Sequence, residues 1–250
     1  MLTTENVKYG KYPEELLDVY APDTPSDTAF LYFHGGGLDH GDKTDGYAPV
    51  AEYLTARGVT YISANYRMYP TAKFPDFLTD AADAVAWAKE YAEKNLVGKK
   101  ALFVGGSSAG GYMSMMLCFD ERYLAAVGLS NRDIAGYVHD AGQPTAHFNV
   151  LRERGIDTRR VIVDETAPLY FIDADKYYPP MRFIVSDNDM RCRYEQTMLI
   201  LATLSHFGYE SFDHVLMHGK HCHYCRAVDE DGESCFGKLI IEHIEKARQS

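Results

Sequence analysis

The chain has 250 residues, of which 46% are hydrophobic and 24% charged, and a formal net charge of -11. That length and composition fit one packed domain whose core needs no disulfide staples, and acidity without a run of basic residues argues against a nucleic-acid partner. The amino terminus lacks the basic start and apolar stretch of a signal peptide, and no window reaches the ~18 apolar residues of a membrane span. Five cysteines, an odd and mostly scattered set, fit a reducing compartment, so a cytoplasmic protein without membrane partners is expected.

Short apolar runs alternate with longer amphipathic ones. The first strand, Ala29 to Phe33, runs directly into His34-Gly35-Gly36-Gly37. Glycines there let the chain come close to a reacting centre and turn backbone N–H groups inward, as stabilisation of an oxyanion requires. Val59 to Ser63 reads as a second strand. Phe77 to Asn95 then carries Leu78, Ala81, Ala82, Val85 and Ala88 at helical spacing.

The strand Ala101 to Val104 leads into Gly106-Ser107-Ser108-Ala109-Gly110, followed by an apolar helical run, Tyr112 to Phe119. This is G-x-S-x-G between a strand and a helix, the setting of a nucleophile elbow. Ser108 holds the central place and is the candidate nucleophile. The amide of Ala109, at the positive end of the helix, would join Gly35 and Gly36 as an oxyanion donor. Either motif alone also fits a Gly-rich turn without chemistry; together they point to acyl transfer.

Ala125 to Leu129 is predicted to be the next strand. Residues 131–173 then break the rhythm with His139, Gly142, Pro144 and Gly155 around a charged segment. They form either a lid-like excursion over the site or an ordinary surface helix with loops. Met181 to Val185 resumes the strands and leads into Ser186-Asp187-Asn188-Asp189, which offers two carboxylates. After a helix from Tyr194 to Phe207 comes the last strand, Phe212 to Met217. It is followed by His218, His221 and His223, three candidate bases in the Ser–acid–His order of this chemistry, and by a final helix from Phe236 to Ala247. The alternation predicts an α/β fold, a mainly parallel sheet with helices on both faces.

The run His221-Cys222-His223-Tyr224-Cys225 also has C-x-x-C spacing. A structural zinc takes about four ligands, and no second C-x-x-C is present. A metal at His221 would also occupy the nitrogen a base needs. Two thiols without a metal are the expected reading, and no cofactor is expected.

Taken in order, these motifs resemble the hormone-sensitive-lipase-like and carbohydrate-esterase-like branches of the α/β-hydrolases. The resemblance runs from Asp18-Val19-Tyr20-Ala21-Pro22 through His34 to Gly37 and Gly41-Asp42-Lys43. It continues through Asn65-Tyr66-Arg67-Met68-Tyr69-Pro70 and residues 74–81 to the elbow. It implies the α/β-hydrolase fold and hydrolysis of small carboxylic esters by a Ser-Asp-His triad. Family loops place the acid fourth after the strand, which selects Asp189 over Asp187. The family's spacing at the end selects His221, with His223 next. Relatives often carry Trp after the glycines where this chain has Leu38, which bears on pocket shape. The first motif begins almost at the amino terminus, leaving no room for a helical cap, so an open site and short acyl groups are expected, with a carbohydrate ester among the candidate substrates. Two alternatives stand beside this one: an amidase of formamidase or aminoacyl-peptidase type on the same fold, and a non-catalytic binding protein. Oligomeric state is left open.

Overall fold

The computed structural model describes residues 1–249. Eight strands form one sheet: β1 (Leu2–Lys8), β2 (Leu16–Ala21), β3 (Thr28–Phe33), β4 (Val59–Ala64), β5 (Ala101–Ser107), β6 (Gly136–Asp140), β7 (Met181–Asn188) and β8 (Phe212–Lys220). Their spatial order is β1-β2-β4-β3-β5-β6-β7-β8. The β1–β2 and β2–β4 pairs are antiparallel, and every later pair is parallel. The helices are α1 (Tyr47–Ala56), α2 (Asp76–Asn95), α3 (Ala109–Phe119), α4 (Glu121–Ala126), α5 (Phe148–Glu153), α6 (Arg193–His206) and α7 (Cys235–Gln249).

The near-continuous apolar character of β3 and β4 follows from helices on both faces. Side chains alternate across a strand, so Leu31 and Phe33 join one core with residues of α2, α3 and α6. Phe30 and Tyr32 join the other, with residues of α1 and α7. In α7 the apolar residues Phe236, Ile240 and Ile244 recur every fourth position and are all buried. Each such side chain contributes roughly 1.5–3 kcal/mol by leaving water.

The predicted strand at Ala125–Leu129 is not in the sheet. The Asp120 side chain accepts from the Arg122 N–H and caps a short helix, α4, and the chain turns at Gly128 with φ 75°. A five-residue apolar run cannot by itself distinguish strand from helix. The sixth strand lies instead at Gly136–Asp140, inside the expected excursion; its His139 and Asp140 masked it as polar, yet all five of its residues are buried. Segment 131–173 is therefore partly sheet, and only its later part leaves the layer. Three elements went unread in the sequence: β1, mostly exposed at the sheet edge, β2, whose Asp18–Ala21 served only for the resemblance, and the helix α1.

This topology sends β3, β5, β6, β7 and β8 in one direction. The His34–Gly37 loop, the Ser108 turn, Asp140, Asp189 and His221 all lie at the carboxyl ends of those strands, the edge at which open parallel sheets bind ligands.

Candidate active site

Ser108 sits between β5 and α3 with φ 55° and ψ -109°, a conformation that costs a non-glycine residue of order 1–3 kcal/mol. The surroundings hold it there. Its N–H donates to the Asp140 carbonyl at 2.8 Å, and its own carbonyl accepts from the Tyr112 N–H at 2.9 Å. The flanking glycines are needed for clearance: a β-carbon at Gly106 would meet the Gly110 backbone at 2.5 Å, and one at Gly110 would overlap the Phe33 carbonyl at the end of β3.

His221, just beyond β8, bridges the two remaining groups. Its Nε2 is 2.9 Å from Ser108 Oγ, and its Nδ1 is 2.5 Å from Asp189 Oδ1. The Asp189 carboxylate also accepts from the Met190 N–H at 2.7 Å and the Ser186 N–H at 3.3 Å. Burial would raise the Asp189 carboxyl, but the hydrogen bond and charge of His221 outweigh it and hold it below the usual range. Burial would likewise lower the His221 imidazole; the bond to Asp189, then Cys222, overcome that and raise it to about 10. Asp187, the other carboxylate, faces solvent and accepts from the His218 ring at 2.7 Å and the Gly219 N–H at 2.8 Å. The exposed His223 ring turns to the Lys220 carbonyl at 2.8 Å. The fold thus brings Ser108, His221 and Asp189 together and leaves Asp187, His218 and His223 in other pairings.

The glycine loop lies against the serine. A β-carbon at Gly35 would come 3.3 Å from Ser108 Cβ, and Gly36, with φ 108°, has no room for one beside the His40 carbonyl. The Gly36 carbonyl accepts from the Asp39 and His40 N–H groups, both at 3.1 Å. Ala109 opens α3, where a helix leaves its first N–H groups unpaired.

The motif residues outside the glycines brace this loop. Tyr66 donates to the His34 carbonyl at 2.9 Å and stacks on its ring at 4.5 Å. Asn65 Oδ1 accepts from the Lys43 N–H at 2.5 Å, while the buried Lys43 ammonium pairs with Asp18 at 2.9 Å. Leu38, with φ 68°, is fully buried in the core against the elbow helix side of the sheet. It is not among the residues lining the site, so the departure from Trp does not shape the cavity directly.

That cavity has a volume of about 530 Å³ and is lined by the His34–Gly37 loop, Ser108 and His221. Tyr32, Phe148 and Met190 add apolar surface, and Asp39, His40, Asp45 and Arg226 add a polar side. Phe148 and Asn149 come from α5, in the segment read as either a lid-like excursion or an ordinary surface helix with loops. The Asn149 side-chain amide donates to the Gly37 carbonyl and to Asp39 Oδ2. Sequence reasoning gave no role to these residues, to Asp140, or to Tyr224, met only inside the C-x-x-C run; the Tyr224 hydroxyl donates to Asp140. No local pattern marks them, because each meets the site from an element remote in sequence from Ser108 and the glycine loop.

A mainly parallel sheet thus carries a serine on a strained strand-to-helix turn, met by a histidine and a carboxylate from later loops. Residues 30–175 match the family model described as alpha/beta hydrolase fold, and the chain belongs to that family. It is 35% identical over 114 residues to Esterase LipC of Mycobacterium tuberculosis, a match covering 44% of this chain and 28% of that protein. The matched region is thus under a third of that relative's length. Among solved structures, a truncated carbohydrate esterase from gut microbiota superposes with a TM-score of 0.82 at 17% identity, covering 100% of this chain and 97% of that one. Esterase B from Lactobacillus rhamnosis superposes with a TM-score of 0.80 at 16% identity, covering 99% and 86%. Likeness at this level of identity establishes the fold. Among the described residues, no helix is long and apolar enough to cross a membrane.

Proposed function

We propose that this protein is a carboxylic ester hydrolase that works through an acyl-enzyme on Ser108. The observation that carries the reading is the single imidazole of His221 bridging Ser108 Oγ at 2.9 Å and Asp189 Oδ1 at 2.5 Å. In this mechanism His221 Nε2 takes the hydroxyl proton as Ser108 Oγ attacks the ester carbonyl. Asp189 fixes the tautomer and stabilises the imidazolium that forms. The N–H groups of Gly35, Gly36 and Ala109 receive the oxyanion. His221 then gives its proton to the leaving alcohol, and a water deprotonated by the same nitrogen releases the acid.

The substrate is a small ester with a short acyl group. A cavity of about 530 Å³ lies in the range of small-molecule sites, and its polar side suits a hydroxyl-rich alcohol portion such as a sugar. Five free cysteines suit a reducing compartment, and a cytoplasmic setting is part of the proposal. The test is the initial rate of p-nitrophenyl acetate hydrolysis by the wild type and by Ser108→Ala. Activity lost in the variant supports the nucleophile; equal rates in both overturn it. Faster turnover of octanoyl than acetyl esters would overturn the short-acyl assignment.

A further inference from the structure

Beside His221 lies a second cluster that ester hydrolysis does not use. Asp140 ends β6, and Cys222 and Cys225 follow His221, with Cys225 closing the 3-10 turn His223–Cys225. One ligand atom from each of Asp140, Cys222 and Cys225 lies within 4.8 Å of the others. Cys225 Sγ is 3.1 Å and Cys222 Sγ 3.8 Å from Asp140 Oδ2, and Cys222 Sγ is 3.6 Å from His221 Nε2.

We propose that Asp140, Cys222 and Cys225 form a binding site for a thiophilic divalent cation such as Zn²⁺, and that occupancy shuts off the hydrolase. The inhibition rests on the reading of Ser108 and His221 above; the binding does not. A tetrahedral zinc with Zn–S near 2.3 Å and Zn–O near 2.0 Å separates sulfur from oxygen by about 3.5 Å. The two sulfur–oxygen distances here straddle that value, so little movement is needed to seat the ion. The Tyr224 hydroxyl donates to Asp140 Oδ1, which fixes the carboxylate and leaves Oδ2 turned to both sulfurs, the kind of outer support metal ligands usually have. Ser107 Oγ, 3.4 Å from Cys225 Sγ, steadies the second thiol.

Access suits a cation, and the charges of the occupied site nearly balance. Cys222 and Cys225 line the same cavity as Ser108 and His221, so an ion enters by the substrate's route. On binding, each thiol gives its proton to solvent, and two thiolates with one carboxylate outweigh a dication by one negative charge. The buried Arg193 guanidinium lies within electrostatic reach of Asp140 and Cys222 and offsets it. The ion then sits beside His221 Nε2. As a direct ligand or through a bound water, that nitrogen, 3.6 Å from Cys222 Sγ, is then held by the ion and is no longer open to the Ser108 hydroxyl.

The experiment uses the reduced full-length protein and two readouts. Cadmium, a thiophilic probe, is titrated while thiolate-to-metal charge-transfer absorption is followed, and one equivalent is expected to saturate it. Zinc is titrated against p-nitrophenyl acetate hydrolysis, each protein normalised to its own metal-free rate, with recovery on adding EDTA. In Cys225→Ser, and in Cys225→Ala as a second variant checked by circular dichroism, the half-inhibiting zinc concentration is expected to rise at least about tenfold and the stoichiometric cadmium band to disappear. A wild type without a one-equivalent band overturns the site. A band or an inhibition that survives unchanged in both variants assigns the metal to Cys192, Cys235 or a surface histidine and overturns it equally. Should the wild type prove inactive on esters, the cadmium titration still decides the binding.

Discussion

Replacing Asp189 by Asn keeps the shape of the carboxylate but removes its charge and its claim on the His221 Nδ1–H. The Asp189 side chain is shielded from solvent beneath His221 and holds it at 2.5 Å. An ion pair with charge centres about 4 Å apart contributes about 4 kcal/mol at an effective dielectric near 20. Losing that from a transition state containing an imidazolium lowers kcat about 10³-fold, and the wrong tautomer deepens the loss towards about 10⁴-fold. KM should change little, because Asp189 does not line the cavity. The pH profile supplies an independent reading. The base must be neutral to accept the serine proton, and its pKa is raised in the wild type. The acidic limb of kcat/KM should therefore lie above the ordinary imidazole value near 6.5, and Asp189→Asn should move it down. Asp187→Asn, which loses only the surface contacts to His218 and Gly219, should stay within about twofold of wild type in steady-state assays with p-nitrophenyl acetate. Asp189→Asn activity within tenfold of wild type, or a larger loss in Asp187→Asn, would refute the assignment of the acid.

Gly36→Ala should lower kcat roughly 10²–10³-fold, the effect of losing one oxyanion donor, while the far-ultraviolet circular dichroism is retained; a rate within threefold of wild type would sink the donor role. The added methyl has no room beside the His40 carbonyl, and φ is 108°, so the loop must shift away from Ser108. Acid should destabilise the fold through its buried histidines. Burial lowers His139 to about 3 and, with help from Arg182, His243 to about 4, and both have an Nε2 without a partner. The unfolded chain takes up these protons below about pH 6.5 while the native state does not. Stability therefore falls as pH drops from about 6.5 towards 4, by about 2 kcal/mol for each histidine at pH 5. The urea midpoint of His139→Phe should fall less steeply towards acid than that of the wild type, and parallel pH profiles would contradict this account.

What the sequence by itself determined is the set of motifs whose parts are neighbours in the chain. The Gly-rich loop after β3 and the G-x-S-x-G turn after β5 could be read because tight backbone geometry demands particular residues at particular places, and glycine leaves that demand visible. Apolar runs located the parallel strands and the main helices for the same local reason. Where the local signal was ambiguous it failed: Ala125–Leu129 was apolar enough for a strand but became the end of a capped helix and the turn after it, whereas the polar-looking Gly136–Asp140 took the place in the sheet.

Tertiary structure decided everything that depends on distance across the chain. Which of two carboxylates meets which of three histidines is settled by the register of β7 on β8, whose pairing shifts between Ser186 and Asn188. That geometry buries Asp189 beneath His221 and turns Asp187 outward. Ser108 and His221 stand 113 residues apart, and Asp140 and Cys225 stand 85 apart. Sequence can list such residues as candidates, but hydrogen bonds and metal sites form only within a few ångströms. Those distances are set by how the parallel strands stack their carboxyl ends along one edge.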